Sequence, residues 1–476
     1  MDTKRKTTES IAIAILLLFC ATHAMGAETR PNIILIFVDD LGYCDTELYG
    51  CDRVPTPNIK RIAEQGVLFT DGYVSSPVCS QSRAGLLTGR HQQRFGHEFL
   101  PSVYEKNSAG LPVGETTLGD VMRDAGYVTG MVGKWHLGSD EQFHPINRGF
   151  DEHFGMEPGA TDYIDPTSDD AKVYVHPMAP KREGPWQGRG EGREVTRGME
   201  PVEVDDYLTE VFTREAVSFI ERHKEEPFFL YLPYTAVHGP LQVTLKYYNR
   251  FPHIEDEAAR IYAAMTSALD DGIGEVLDAL EENDLEENTM VLFISDNGAG
   301  VADYASNKPF RMGKHTMFEG GVRVPFVMKW PAGIPKGETY THPVSSLDVF
   351  PTALVAAGGK LPKKGVLNGV DLAPYLNGQK SGKPNEKLFW RTGKVWAARQ
   401  GDWKLIYAAD RHWLYDLAKD PGEITNLAEK RPDIVKVVTA SYDKWNEGNI
   451  KPLWPSFAAK AMPQYSVDGV PVSWPF

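Results

Sequence analysis

Four short apolar runs, each followed by a polar cluster, organise this chain of 476 residues. Residues 32–38 (NIILIFV) are apolar after the leading asparagine, the pattern of a strand covered on both faces, as strands of a parallel sheet are. Similar runs recur at 127–132, 228–233 and 290–294. Behind the four runs come Asp39-Asp40, Gly133-Lys134-Trp135-His136, Val237-His238-Gly239-Pro240 and Ser295-Asp296-Asn297-Gly298. Between them, apolar residues return at helical spacing over 116–125, 207–223 and 257–280. Strands alternating with helices predict an α/β fold: a large mixed, mostly parallel sheet sandwiched by helices. In an open sheet of this kind, ligands bind outside the carboxyl ends of the strands, where loops converge. The four polar clusters are therefore expected in one cleft.

The pattern changes near residues 383–386. Residues 395–406 and 412–417 read as short antiparallel strands and 431–445 as a helix, which predicts a main domain over 28–385 and a small C-terminal α+β domain over 386–476. Residues 181–198 are rich in Gly and Arg and lack any strand or helix period. They fit a long surface insertion, either a substrate loop or a solvated excursion. At the other end, Lys4, Arg5 and Lys6 precede an apolar run over 11–21, and Ala24-Met25-Gly26 offers small residues for cleavage. This predicts a secretory signal peptide over 1–27, too short to span a membrane. A lipidated leader ending at Cys20 is the alternative, and Phe19 suits that reading poorly. The protein is expected to be secreted or periplasmic, with no membrane attachment once the leader is gone.

The formal charge is −15, and removal of the leader, with three basic and two acidic residues, leaves −16. Such a chain disfavours nonspecific binding to nucleic acid or anionic membrane, and a polyanionic substrate would need a local basic pocket. Beyond the leader the cysteines are Cys44, Cys51 and Cys79, which makes neither a disulfide framework nor a thiolate zinc site. Cys44 and Cys51 either pair in an oxidising compartment or stay free, since sequence does not fix their Cα separation.

Asp39, Asp40, Asp296 and Asn297 offer hard oxygen donors that suit Ca²⁺ or Mg²⁺, whereas zinc would call for imidazole or thiolate. Taken singly, Asp-Asp and Asp-Asn-Gly would be turn or cap residues. The most informative segment is Pro77-Val78-Cys79-Ser80-Gln81-Ser82-Arg83-Ala84-Gly85-Leu86-Leu87-Thr88-Gly89-Arg90, with a nucleophile-sized residue, an arginine four positions on and a helical apolar run. It resembles the maturation signature of the type I, formylglycine-dependent sulfatases, arylsulfatase-like members of the alkaline phosphatase superfamily. The family signal reads Cys-x-Pro-x-Arg or Cys-x-Ala-x-Arg; here Gln81 holds the middle position, while Leu86 to Arg90 match. The resemblance runs from about residue 30 to about 427, which makes 28–385 the catalytic domain. Gly401-Asp402-Trp403-Lys404-Leu405 and Leu414-Tyr415-Asp416-Leu417 resemble the family's small C-terminal domain.

The resemblance implies that a formylglycine-generating maturation enzyme oxidises Cys79 to an aldehyde whose hydrate is the nucleophile. Asp39, Asp40, Asp296 and Asn297, completed by the oxygen at the Cys79 position, match the family's metal site, which usually holds one Ca²⁺. Arg83 and Lys134 match positions that hold the hydrate, His136 matches its base, His238 the sulfate-contacting histidine, and Lys314 the sulfate-binding lysine ahead of Glu319-Gly320-Gly321-Val322-Arg323-Val324-Pro325. On that template one hydroxyl attacks sulfur and the alcohol leaves with a proton from His238. His136 then deprotonates the second hydroxyl as sulfate departs. Export, acidic surface and Arg-rich loop fit a sulfated carbohydrate as substrate, with Gln92, Gln93, Arg94 and Arg391 as candidate subsite residues. Two rival readings are a phosphate mono- or diester hydrolase on the same scaffold, and a non-catalytic sulfated-glycan-binding protein if Cys79 is not matured.

Overall fold

A computed structural model of the chain describes residues 30–101, 109–175, 189–190, 192–302, 304–363, 365–456 and 464–475. The expected signal peptide, and residues 181–188 and 191 of the expected insertion, lie outside them. The main sheet has ten strands: β1 (Asn32–Val38), β2 (Val67–Phe69), β3 (Val128–Lys134), β4 (Glu152–Met156), β5 (Val195–Arg197), β6 (Glu200–Val202), β7 (Phe228–Leu232), β8 (Thr289–Ser295), β9 (Phe326–Lys329) and β10 (Glu338–Tyr340). Their spatial order is β10-β2-β9-β8-β1-β7-β3-β4-β5-β6. The central run β8-β1-β7-β3-β4 is parallel throughout, and antiparallel partners flank it, β9 on β8 and β5 on β4.

Side chains of a strand alternate between faces, and β1 uses both for core. Ile34, Ile36 and Val38 enter one apolar cluster with helices Leu208–His223 and Glu257–Glu282, while Ile33, Leu35 and Phe37 enter another with helices α1 (Cys79–Thr88), Leu118–Asp124 and Val349–Ala356. Each such side chain, fully buried, contributes about 1.5–3 kcal/mol. Local chemistry sets the helix starts: Thr117 and Asp120 form a capping box ahead of Leu118, and the Asp256 carboxylate accepts from the Ala259 N–H. The mixed, mostly parallel sheet between helices is the expected architecture.

The end of the expected insertion is a correction. Val195–Arg197 is a strand of the main sheet between β4 and the edge strand β6, with Phe154 opposite Arg197, and three residues are too few to display a period in sequence. Beyond the main sheet lies a four-stranded antiparallel sheet of Lys387–Thr392, Val395–Gln400, Trp403–Ala408 and Arg411–Asp416, followed by helix Pro432–Asn446 and a hairpin of Gln464–Val467 with Val470–Ser473. The first strand of that sheet was not legible, and the stretch 395–406 is two strands turned at Gly401, whose φ of 59° suits glycine. This sheet shares an apolar cluster with Tyr73, Met317, Phe318 and Val322 of the main body. Cys44 and Cys51 are joined in a disulfide with Cα atoms 5.5 Å apart, which leaves Cys79 as the free cysteine among the described residues. Among those residues no helix is long and apolar enough to cross a membrane.

Candidate active site

The carboxyl ends of β8, β1, β7 and β3, neighbours in that order, bring the polar clusters together. Past β1 the ladder continues for one residue, with Asp39 N donating to Ala236 O at 3.0 Å and Val237 N donating to Asp39 O at 2.8 Å. Asp40 then takes a left-handed φ of 61°, which turns the chain so that its N–H reaches Asp296 Oδ1 at 3.2 Å. Such a conformation costs a non-glycine residue about 1 kcal/mol or more and persists only where surroundings impose it. At the end of β3, a Cβ on Gly133 would lie 2.1 Å from Pro233 O, so only glycine lets Lys134 N donate to that carbonyl at 2.7 Å. Cys79 opens α1, whose preceding residue Val78 provides no side-chain cap. Arg83 lies one turn further along the same helix.

Cations and carboxylates interleave in this buried space. Arg83 donates to Asp296 Oδ2 at 2.7 Å and to Lys134 O at 3.1 Å, and also lies 3.8 Å from Asp39. Lys134 pairs with Asp39, and Lys314 with Asp40 at 2.8 Å. Asn297 Nδ2 donates to Asp40 Oδ1 at 2.7 Å. His238 Nδ1 must be the protonated nitrogen, because its partner at 2.6 Å is the Gly239 carbonyl. Its Nε2 is then left 3.7 Å from Asp40 Oδ2. His136 has a φ of 58°; its N–H donates to Glu157 O at 2.9 Å, and its own carbonyl accepts from Ser80 Oγ at 2.7 Å. Ser80 also bonds His97 Nε2 at 2.8 Å. An added Cβ on Gly159 would sit 2.7 Å from His136 Nε2, so that glycine makes room for the ring.

The field in this site is strong. Burial works to raise the pKa of Asp39, but Lys134, His238 and Arg83 outweigh it and hold the carboxyl far below its ordinary range. Asp40 is likewise lowered, against burial, by Lys314 and His238. Burial pushes the Cys79 thiol up, with Lys134 and Lys314 opposing. Burial, joined by the charges of Lys134 and Arg83, pushes His136 well down, and burial with Lys314 lowers His238. Both imidazoles are therefore neutral near pH 7 before any anion arrives.

The residues fit a hard divalent cation. Ligand atoms of Asp39, Cys79 and Asp296 lie within 4.8 Å of one another, as do those of Asp39, Asp40 and His238. Two buried oxygens there, Asp39 Oδ1 and Asn297 Oδ1, have no hydrogen-bond partner. Buried acceptors are rarely left so, and three carboxylates with one amide oxygen are the donors Ca²⁺ takes.

Structure and sequence part company at the subsite candidates. Arg391 engages both Glu98 oxygens, with Nε at 3.0 Å, and donates to Asn446 Oδ1 at 2.6 Å and to Ile450 O at 2.8 Å. A guanidinium so engaged joins the C-terminal region to the main domain. Gln92 donates to Ser75 O at 3.0 Å, Gln93 to Arg391 O at 2.7 Å and Arg94 to Trp445 O at 3.0 Å. These four are struts. Ser80, His97 and Gly159, which bear on His136, had not been singled out: Ser80 lay inside the motif, and the other two carry no local pattern.

A family model described as Sulfatase matches residues 31–359, more than half of the chain and all of the interleaved cluster. The chain belongs to the sulfatase family. It is a sulfuric ester hydrolase, and a second model, N-sulphoglucosamine sulphohydrolase, C-terminal, matches residues 311–447. The N-acetylgalactosamine-6-sulfatase of Canis lupus familiaris is 36% identical over 398 residues, 81% of this chain and 73% of the relative. Among solved sulfatase-fold structures, Ps i-CgsB in complex with k-i-k-neocarrahexaose superposes with a TM-score of 0.82 at 32% identity, covering 90% of this chain and 95% of the other. PsFucS1 sulfatase from Pseudoalteromonas sp. does so with a TM-score of 0.72 at 25% identity, covering 93% and 94%.

Proposed function

We propose that this sulfatase is an exported enzyme that removes sulfate from a sulfated carbohydrate, with formylglycine formed at Cys79 and Ca²⁺ held by Asp39, Asp40, Asp296 and Asn297. The observation that carries the reading is the set of three cations interleaved with three carboxylates around Cys79, with two buried oxygens to spare. A carbohydrate ester is favoured because the relatives include an N-acetylgalactosamine-6-sulfatase and a neocarrahexaose complex. Formylglycine would supply a hydrated aldehyde as nucleophile, and Ca²⁺ positive charge beside the sulfate oxygens. Lys314 and His238 would grip the sulfate group; the bound anion would favour a second proton on His238, at Nε2, and that proton would pass to the departing alcohol oxygen. Arg83 and Lys134 would fix the residue at position 79, and the neutral His136 would accept a proton as sulfate leaves.

Gln81 departs from the maturation signal, yet it has work in the folded chain: it is buried and its Nε2 donates to Glu98 O at 3.2 Å. That contact accounts for glutamine in the fold and leaves recognition of the unfolded segment as a separate matter. Mass spectrometry of the Cys79 peptide from the native host, paired with sulfate release from sulfated oligosaccharides and from matched phosphate esters, tests the proposal. The aldehyde mass together with preference for the sulfates is expected. An intact thiol in fully active enzyme, or faster phosphate release, would defeat it.

A further inference from the structure

His136 takes a left-handed φ of 58°, which persists for a non-glycine residue only where neighbours impose it. Its buried Nδ1 has no hydrogen-bond partner among the described residues, so the ring takes its direction from the backbone. That backbone is clamped on both sides: the N–H donates to Glu157 O at 2.9 Å and the carbonyl accepts from Ser80 Oγ at 2.7 Å. Ser80 has a single hydroxyl hydrogen, and a carbonyl can only accept. With that hydrogen on His136 O, the 2.8 Å contact between Ser80 Oγ and His97 Nε2 requires His97 to donate from Nε2. Burial pushes the His97 pKa down to about 3, with the Gly110 backbone opposing and Arg148 assisting, so the ring keeps one proton. Ser80 and His97 are fully buried, and Trp454 meets the His97 ring edge-on with centroids 5.0 Å apart. The next residue pair repeats the link, Gln81 Nε2 donating to Glu98 O at 3.2 Å, so residues 97–98 form a bracket along the segment that follows Cys79.

We propose that His97 is a positioning residue for the reaction: through the Ser80 hydroxyl it fixes the carbonyl of His136, and with it the direction of the imidazole that accepts a proton as sulfate leaves. This rests on the sulfatase reading of His136. One hydroxyl thereby ties the residue that follows Cys79 to the backbone of the base, and the tie depends on which ring nitrogen of His97 is protonated. With the proton on Nδ1 instead, the Ser80 hydrogen would turn to the ring, and the His136 carbonyl would face an oxygen with nothing to donate. His136 acts after the alcohol has left, so the contribution of His97 is confined to the second half of the reaction.

The test compares His97→Leu, which has no donor, and His97→Gln, whose amide can donate in place of Nε2, with the wild type and with His136→Ala as reference, all per molecule carrying the aldehyde. His97→Leu should lower kcat roughly tenfold to a hundredfold, the range for a catalytic group displaced by about an ångström. KM should fall alongside, so that kcat/KM, which reports the steps up to departure of the alcohol, changes less than about twofold. His97→Gln should recover most of kcat. A fall in kcat/KM matching that in kcat would make His97 merely structural, and an unchanged kcat would remove it from the reaction; each overturns the inference. NMR spectra of histidine-labelled wild type give a readout independent of turnover: His97 should carry its proton on Nε2 between about pH 5 and pH 8, and a proton on Nδ1 would overturn the inference as well. His136→Ala should show the same kinetic signature in stronger form. Unimpaired sulfate release there, or equal losses in kcat and kcat/KM, would instead refute the underlying reading, whatever His97 does.

Discussion

Two buried charge networks in this molecule have nearly the same composition and opposite properties. Around Cys79, Asp39, Asp40 and Asp296 face Lys134, Lys314 and Arg83. Where the C-terminal sheet docks, Glu319, Glu423 and Asp71 face Lys404, Arg399 and Arg323: Lys404 lies 2.7 Å from Glu319 and 3.1 Å from Glu423, and Arg399 and Arg323 each lie 2.8 Å from Asp71. Tyr73 adds a bond to Glu319 at 2.6 Å. Every charged group of both networks meets an opposite charge; in the docking network the carboxylate oxygen without a hydrogen-bond partner, Glu423 Oε1, still faces Lys404 at 3.1 Å, whereas at the strand ends Asp39 Oδ1 and Asn297 Oδ1 have no such cation beside them among the described residues. Charge balance makes either network tolerable in the interior. Spare oxygens at the ends of parallel strands are what give one of them something to do.

The widest separation between the two networks is expected from Asp296→Ala. It should cost roughly 10³-fold or more in sulfate release and abolish bound calcium, while the lost Arg83 bond is offset by relieved repulsion between Asp39 and Asp296. Sulfate release, metal content and circular dichroism on one preparation check this; a folded variant with unchanged calcium and activity would end the metal assignment. Lys404→Met should do the converse: two buried carboxylates lose their cation, at a cost of about 3–5 kcal/mol read by urea denaturation, with sulfate release per folded molecule near wild type. A large fall in specific activity with no change in stability would erase the distinction.

Calcium itself sharpens the contrast. At about a hundredfold excess over its Kd it should stabilise the wild type by about 2.7 kcal/mol, stabilise Lys404→Met equally and leave Asp296→Ala unmoved, as measured by denaturation with and without chelator. The smallest effect concerns pH. Burial, with Glu319 adding and Lys404 opposing, pushes Glu423 up to about 7, while Glu319 is held down to about 2, against burial, by Lys404, Arg323 and Arg399. The raised group contributes stability that is full below about 4.5, its ordinary value, and lost as pH rises through about 7. The lowered group contributes stability present above about 4.5 and lost as pH falls through about 2. Glu423→Gln should therefore gain on the wild type by up to about 2 kcal/mol between pH 5 and pH 8. A constant difference across that window would deny Glu423 its role.

Much of the site was legible because its motifs are contiguous and close an apolar run. Asp39-Asp40 and Asp296-Asn297 follow strands whose burial shows in their composition, and parallel topology alone carries such ends to one edge. Arg391 was misread for the opposite reason: whether a guanidinium is free or engaged depends on Glu98, 293 residues away, and on Asn446, 55 residues away. The same holds for the strand 195–197, whose identity comes from its partner in β4 and not from its own three residues.

By itself, the sequence determined the alternation of strands and helices, the acidic balance, and the identity and order of the groups around Cys79, since periodicity and motif are local properties that need no partner to be read. Tertiary structure alone decided that Cys44 meets Cys51, that Asp39 Oδ1 and Asn297 Oδ1 are left over, that Arg391 is a strut, and that Asp468 of the 464–473 hairpin meets Arg311. Each of these is a pairing across a separation fixed only when the chain packs, and a polar atom's function depends on whether packing supplies it with a partner.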